Sequence, residues 1–258
     1  MFVRILLFYY YKLVNQILKI TIATQNRKKL DLPLPVVNKL LCKIPVGESL
    51  LNKLRDSLQP TMTKLGTSFA STGLSANFWT GVGLAISIAA GIAYASPAFI
   101  TGVDWYSPYL AAIIGGVLLL ISGFFDIIDG SVARVTKQAS KKGAFLDSSF
   151  DKISEVVIFS GIAFGGLADP FWCLVALGVS ILVSYTRARA ESLGVELKGI
   201  GIGERAERML ILAIIGMIPL QPALPQSGMY WAVIIVSIVA SITLVQRIAA
   251  TAKKLSFT

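Results

Sequence analysis

The chain has no histidine among its 258 residues. That excludes histidine-based triads, imidazole metal ligands and imidazole general bases. Acid–base chemistry is left to Asp or Glu, ahead of Lys, Tyr or Cys. Cysteine is nearly absent as well: Cys42 and Cys173 form no spacing motif, so neither a disulfide framework nor a thiolate zinc site is suggested. Charge is scarce, at 15% of residues, where an average soluble domain carries about 25%. Acids are the scarcer sign, 14 against 24 Lys and Arg, for a net charge of +10. In a soluble protein that surplus would raise nucleic acid as a partner. Here the cations gather at the ends of apolar runs, which fits membrane lipids with anionic headgroups. No nucleic-acid partner is expected, although an anionic substrate could use the same charge.

What is abundant is apolar: 55% of the residues are hydrophobic. Runs of roughly 20 apolar residues recur, each long enough to cross a bilayer core as a helix. They do not alternate like barrel strands, and a spanning helix satisfies its own backbone hydrogen bonds. The expected fold is an all-α integral membrane protein, a six-transmembrane-helix bundle preceded by amphipathic interfacial helices. The spans are predicted at about 78–98, 108–133, 144–167, 170–193, 204–220 and 228–250. No Lys or Arg occurs between Lys64 and Arg134, between Lys152 and Arg187, or between Arg208 and Arg247. By the positive-inside rule the basic connections are cytoplasmic, which puts both ends of the bundle on that side of a cell membrane. Trp105, Tyr106, Tyr109, Tyr230 and Trp231 fall at the opposite ends, as interfacial aromatics do.

Residues 1–48 are expected to form an N-terminal amphipathic extension and linker, and residues 49–258 the membrane domain. Within 1–24, Arg4, Lys12, Asn15, Gln16 and Lys19 form a polar stripe at helical spacing, the pattern of a helix lying in the interface. Residues 25–48 are polar and contain Pro33, Pro35 and Pro45. Residues 49–70 read as a second amphipathic helix, with Leu50, Leu54, Leu58, Met62 and Leu65 on one face and Pro60 interrupting it.

Four of the 14 acids lie in one stretch. Asp126 and Asp129 close span two at i,i+3 spacing, and Asp147 and Asp151 open span three at i,i+4 spacing, so each pair shares a helix face. A short loop joins the two spans, which makes them antiparallel neighbours with the pairs at one depth. An intramembrane Asp costs about 2.5–3.5 kcal/mol at mid-span and less near the interface. Four together call for counter-charge. Oxygen-only ligands suit a hard cation, Mg²⁺ or Mn²⁺, and Mg²⁺ commonly pairs carboxylates with substrate phosphate. Four carboxylates have room for two ions. Carboxylates at helix ends also serve simply to solvate an interface, and glycines simply to pack; that reading fits any one of these residues better than it fits the array.

The pattern D-x-x-D-G-x-x-A-R, eight residues, then G-x-x-x-D-x-x-x-D resembles the signature of the CDP-alcohol phosphotransferase family. It is matched here at Asp126, Asp129, Gly130, Ala133, Arg134, Gly143, Asp147 and Asp151. The resemblance implies that a CDP-activated lipid presents its diphosphate to divalent ions, an acceptor hydroxyl attacks the phosphorus bearing the lipid, and CMP leaves. It makes Asp126, Asp129, Asp147 and Asp151 metal ligands, makes Asp151 the general base, and lays Gly130, Arg134 and Gly143 against the CDP moiety. Asn77 and Thr80 resemble the family's Pro-Asn-x-x-Thr element beside the nucleotide, with Ala76 in place of proline. Asn77 is also read as the cap of span one. A homodimer is implied by the same resemblance.

Span four ends in Arg187-Ala-Arg189-Ala-Glu191, and span five begins Glu204-Arg205-Ala-Glu207-Arg208. Each arginine alone is explained by positive-inside anchoring, while a cluster at neighbouring helix ends makes a phosphate pocket. Glu204 and Glu207 are expected to hold these arginines. The two stretches are similar to the family's inositol-phosphate branch. That places Arg187, Arg189 and Arg205 around the acceptor's phosphate, although Arg187 and Ala206 depart from the usual Lys and Pro. Likeness to the archaeal members points to CDP-archaeol as the lipid. Glycerol 3-phosphate is the alternative acceptor, and an acid-lined cation transporter is the alternative from another class. The transporter fits less well because the acids sit at one end of two helices rather than along a midplane path.

Overall fold

A computed structural model describes residues 61–100, 102, 107–137, 139–197, 199–219 and 227–255. The helix expected over 1–24, the linker 25–48, residues 49–60 of the second amphipathic helix, and Trp105 and Tyr106 lie outside those residues. All regular structure among the described residues is helical. A helical segment over 61–70 leads to α1 (Ala76–Ala95), which a 3-10 turn extends over Ser96–Ala98. Then follow α2 (Pro108–Val135), α3 (Lys141–Phe164), α4 (Pro170–Ser192), α5 (Arg205–Gly216) and α6 (Gly228–Leu255).

Short polar residues mark the starts. The hydroxyls of Ser75, Ser107 and Ser140 accept from the N–H groups of Phe78, Leu110 and Gly143, and the Asp169 carboxylate accepts from Phe171. These are N-caps that satisfy donors with no partner inside the helix. Proline occupies the first turn of α2 and α4, where its missing N–H is harmless. The cap of α1 is Ser75, not Asn77, so the capping expectation for Asn77 gives way to a free side chain at the site end of that helix.

Among the described residues, four helices are long and apolar enough to cross a membrane: α1 with its 3-10 extension, α2, α4 and α6. α3, with 24 residues, is long enough but too charged, carrying Asp147, Asp151, Lys152 and Glu155 within nine residues. α5 has only 12 residues, which rise about 18 Å at 1.5 Å each. That is short of the 204–220 span expected from sequence, because the backbone before residue 205 is irregular and the helix ends at Gly216.

α1 packs on α2 and α3, and α6 on α4 and α5, while α5 also lies against α2. One apolar core takes side chains from all six helices, among them Tyr94, Leu119, Phe159, Cys173, Leu212 and Val236. Outside it, Ile92, Phe164 and Leu174 are more than 60% exposed. An apolar exterior around an apolar core is the layout of a bundle surrounded by lipid. A smaller cluster, Ala76, Ile128 and Val132 with Leu65 and Phe69 against it, fixes the 61–70 segment across the ends of α1 and α2. Trp79 stacks on Phe125 at 5.7 Å and meets Phe69 edge-on at 5.0 Å. This end of the bundle carries the site.

Candidate active site

Three of the four aspartates expected to meet form one cluster. Asp126 and Asp129 on α2 and Asp147 on α3 converge, with one carboxylate oxygen from each lying within 4.8 Å of the others. Asp129 is buried, and its Oδ2 has no hydrogen-bond partner. An orphaned carboxylate oxygen facing two further carboxylates is a strongly unfavourable arrangement unless a cation joins it. The donor set is all oxygen, so the three residues fit a hard divalent ion.

Asp151 stands outside this trio and is linked to it by Arg205. Nη1 of Arg205 lies 2.7 Å from Asp151 Oδ1 and 3.2 Å from Asp126 Oδ1. The three side chains are 20–37% exposed, so the group is reachable from one side. Thr80, Ser87, Ser122 and Ser154 line the same cleft as Asp126, Asp129, Asp151 and Arg205. One guanidinium facing four carboxylates leaves the cleft rich in unneutralised negative charge.

The five residues that sequence assigns to the CDP moiety all fall among the described residues. Thr80 lines the cleft. Gly143 lies in the first turn of α3 beside Asn77, so a β-carbon there would come within 3.2 Å of the Asn77 carboxamide oxygen. Arg134 is exposed and folds back along its own helix, donating from Nη2 to Ser131 Oγ at 3.0 Å, with Gly130 beneath it. Arg187 and Arg189 are not with Arg205. Arg187 Nε pairs with Glu191 Oε1 at 2.9 Å, and Arg189 donates to Ser192 Oγ at 3.4 Å, both within α4. Glu204 and Glu207 form a capping box at the start of α5, with the Glu204 N–H donating to Glu207 Oε2 at 2.9 Å. They cap the start of that helix.

Sequence reasoning missed one feature. Glu155, fully buried on α3, receives Lys152 Nζ at 2.7 Å and Arg208 Nη2 at 2.8 Å. Arg208 is 1% exposed and also donates from Nη1 to the Gly203 carbonyl at 2.8 Å. The available signal was Glu155, an acid at the edge of an apolar run and in need of a partner.

Taken together, these features define a helical membrane protein with an oxygen-only cluster that could hold a cation at one end of its bundle. Residues 73–244 match the CDP-alcohol phosphatidyltransferase family, and the chain belongs to it. It is 33% identical over 207 residues to the archaetidylinositol phosphate synthase of Pyrococcus horikoshii, covering 80% of this chain and 98% of that one. It is 38% identical over 167 residues to the archaetidylinositol phosphate synthase of Methanothermobacter thermautotrophicus, covering 65% of this chain and 77% of the relative. The fold is shared with a crystal structure of Mycobacterium tuberculosis phosphatidylinositol phosphate synthase with CDP-DAG bound, at a TM-score of 0.60, 24% identity, and 74% and 92% coverage of the two chains. That enzyme has also been crystallised in complex with manganese and citrate. The protein is thus a CDP-alcohol phosphotransferase, a membrane enzyme of phospholipid biosynthesis.

Proposed function

We propose that this enzyme transfers the lipid-phosphate group of CDP-archaeol to a hydroxyl of an inositol phosphate, releasing CMP. The observation that carries the reading is the meeting of Asp126, Asp129 and Asp147 beside an Asp151–Arg205 contact. It sets a cation site, a candidate base and a phosphate-binding group next to one another. Asp126, Asp129 and Asp147, with Asp151 beside them, would hold one or two Mg²⁺ or Mn²⁺ ions, which supply charge neutralisation for the donor diphosphate.

The remaining roles belong to side chains. Asn77, Thr80, Gly130, Arg134 and Gly143 line the approach of the CDP moiety; Gly130 and Gly143 keep it free of bulk. Arg205 holds the acceptor phosphate beside Asp151. Arg187 and Arg189, one helix end away, complete that pocket by leaving their partners on α4. Asp151 accepts the proton of the attacking hydroxyl as the oxygen–phosphorus bond forms and the bond to CMP breaks. With no histidine in the chain, a carboxylate is the natural base.

The same reading treats residues 49–258 as one membrane domain. It counts α3 and α5 as spans three and five of the bundle alongside the four apolar helices, faces the acidic end to the cytoplasm, and takes the working form as a homodimer. The names of the relatives and the arginines of α4 and α5 support an inositol phosphate over other acceptors. The test is CMP release by purified protein across a panel of acceptors, with both archaeol- and diacylglycerol-type CDP lipids. Release that requires Mg²⁺ or Mn²⁺ together with inositol phosphate is expected. Release driven by glycerol 3-phosphate instead would transfer the assignment to that acceptor, and no release with any acceptor would end the enzyme reading.

A further inference from the structure

The connection from α4 to α5 is held from outside by one face of α6. Thr243 Oγ1 accepts from the Gly203 N–H at 2.9 Å and donates to the Val239 carbonyl at 2.8 Å, which fixes the hydroxyl in both roles. Gln246 Oε1 accepts from the Ile202 N–H at 3.2 Å. Arg247 donates from Nε to the Ile200 carbonyl and from Nη1 to the Val183 carbonyl, both at 3.0 Å. All three side chains are buried. They occupy i, i+3 and i+4 of α6, one helical face. Their targets are backbone groups on consecutive parts of a single path: the last turns of α4, the loop, and the residues just before α5. Arg208 closes the path from the other side through the Gly203 carbonyl.

The backbone was shaped for this grip. Gly201 has φ of +118°, a conformation that L side chains rarely adopt. At Gly203 a β-carbon would come within 2.9 Å of the Thr243 hydroxyl. Only glycine lets the loop lie this close to α6. A membrane-anchored helix end does not by itself need three buried side chains to grip a loop's backbone. Side chain-to-backbone bonds of this kind hold a segment in place whatever its own sequence, and the segment they hold carries Arg187 and Arg189 at one end and Arg205 at the other.

We infer that Thr243, Gln246 and Arg247 are positioning residues that set acceptor affinity by fixing the two arginine-bearing helix ends against each other. This rests on the acceptor reading above. None of the three touches the aspartates, so donor binding and the chemical step stay as they are when the grip is loosened.

The test uses the full-length enzyme and steady-state CMP release, with each substrate varied at saturation of the other. Thr243→Val and Gln246→Ala each raise the KM for inositol phosphate about tenfold, as expected when a buried N–H loses its partner. The KM for CDP-lipid and kcat stay within about twofold of wild type. Thr243→Ser, which keeps the hydroxyl, behaves as wild type, and amide exchange at residues 200–203 quickens only in the two loosened variants. The inference is overturned if both KM values rise together, if kcat alone falls, or if acceptor KM and loop exchange are unchanged in protein that melts like wild type. Should Thr243→Val not fold, Gln246→Ala decides by the same measures. If the wild type ignores inositol phosphate and works with glycerol 3-phosphate, the acceptor reading falls while the positioning role is decided by the same KM comparison with that acceptor.

Discussion

Two ion pairs join α3 to α5, one turn apart, and they are built differently. Asp151 meets Arg205 at 2.7 Å, and Glu155 meets Arg208 at 2.8 Å. The residues of each helix are one turn apart, i,i+4 on α3 and i,i+3 on α5, so the two contacts form rungs of a single ladder. Around the upper rung, carboxylates outnumber cations: Arg205 faces Asp126 and Asp151 with Asp129 and Asp147 nearby. Around the lower rung cations outnumber carboxylates, because Lys152 and Arg208 share Glu155. The upper rung is part-exposed, and both members of the lower rung are sealed from solvent. A buried pair with its charges answered is a structural joint. A reachable cluster with surplus negative charge is a place for something positive to bind. The sign of the imbalance, more than the presence of ion pairs, separates the working site from its support.

That comparison is broken most severely by Asp151→Asn. Loss of the base is expected to reduce CMP release by about 10²–10⁴-fold, with thermal unfolding little changed, since Arg205 keeps Asp126. One turn down the outcome reverses. Glu155→Gln strands Arg208 and Lys152 in the interior and is expected to cost about 3–5 kcal/mol of stability, read as an early melting transition in detergent or nanodiscs. A melting curve like that of wild type would mean the lower rung is not a joint. Asp129→Asn tests the surplus-charge argument directly: Mn²⁺ affinity measured by calorimetry should drop about 10–100-fold or more, whereas Thr243→Ser should leave it unaltered. The smallest effect is reserved for Glu191→Gln. Its ion pair with Arg187 is more than 40% exposed on both sides, so no more than about 0.5 kcal/mol of stability is expected to go.

The aspartate array was legible from sequence because its spacings are local. Helical spacing predicts the two faces; the short loop was expected to pack α2 directly on α3, whereas both helices pack chiefly on α1, which holds their acidic ends together. Asn77 misled because Ser75, two residues earlier, offered the same chemistry and took the cap. The ion-pair partners of Arg205 were not legible, because they lie 79 and 54 positions back, at Asp126 and Asp151. The pairing of Glu155 with Arg208 was not legible: they are 53 positions apart, and no local pattern couples them. The length of α5 was overestimated because its apolar run continues past the point where Gly216 ends the helix.

The lower rung has a further consequence, which concerns time. A ribosome adds about 5–20 residues per second, so the 53 positions between Glu155 and Arg208 separate their synthesis by about 3–10 seconds. Throughout that interval Glu155 has Lys152 as its neighbour on α3, and its final partner does not yet exist. α3 therefore reaches its buried setting late, once α5 has been made, and the hairpin bearing the aspartates is completed by a helix that follows it in the chain.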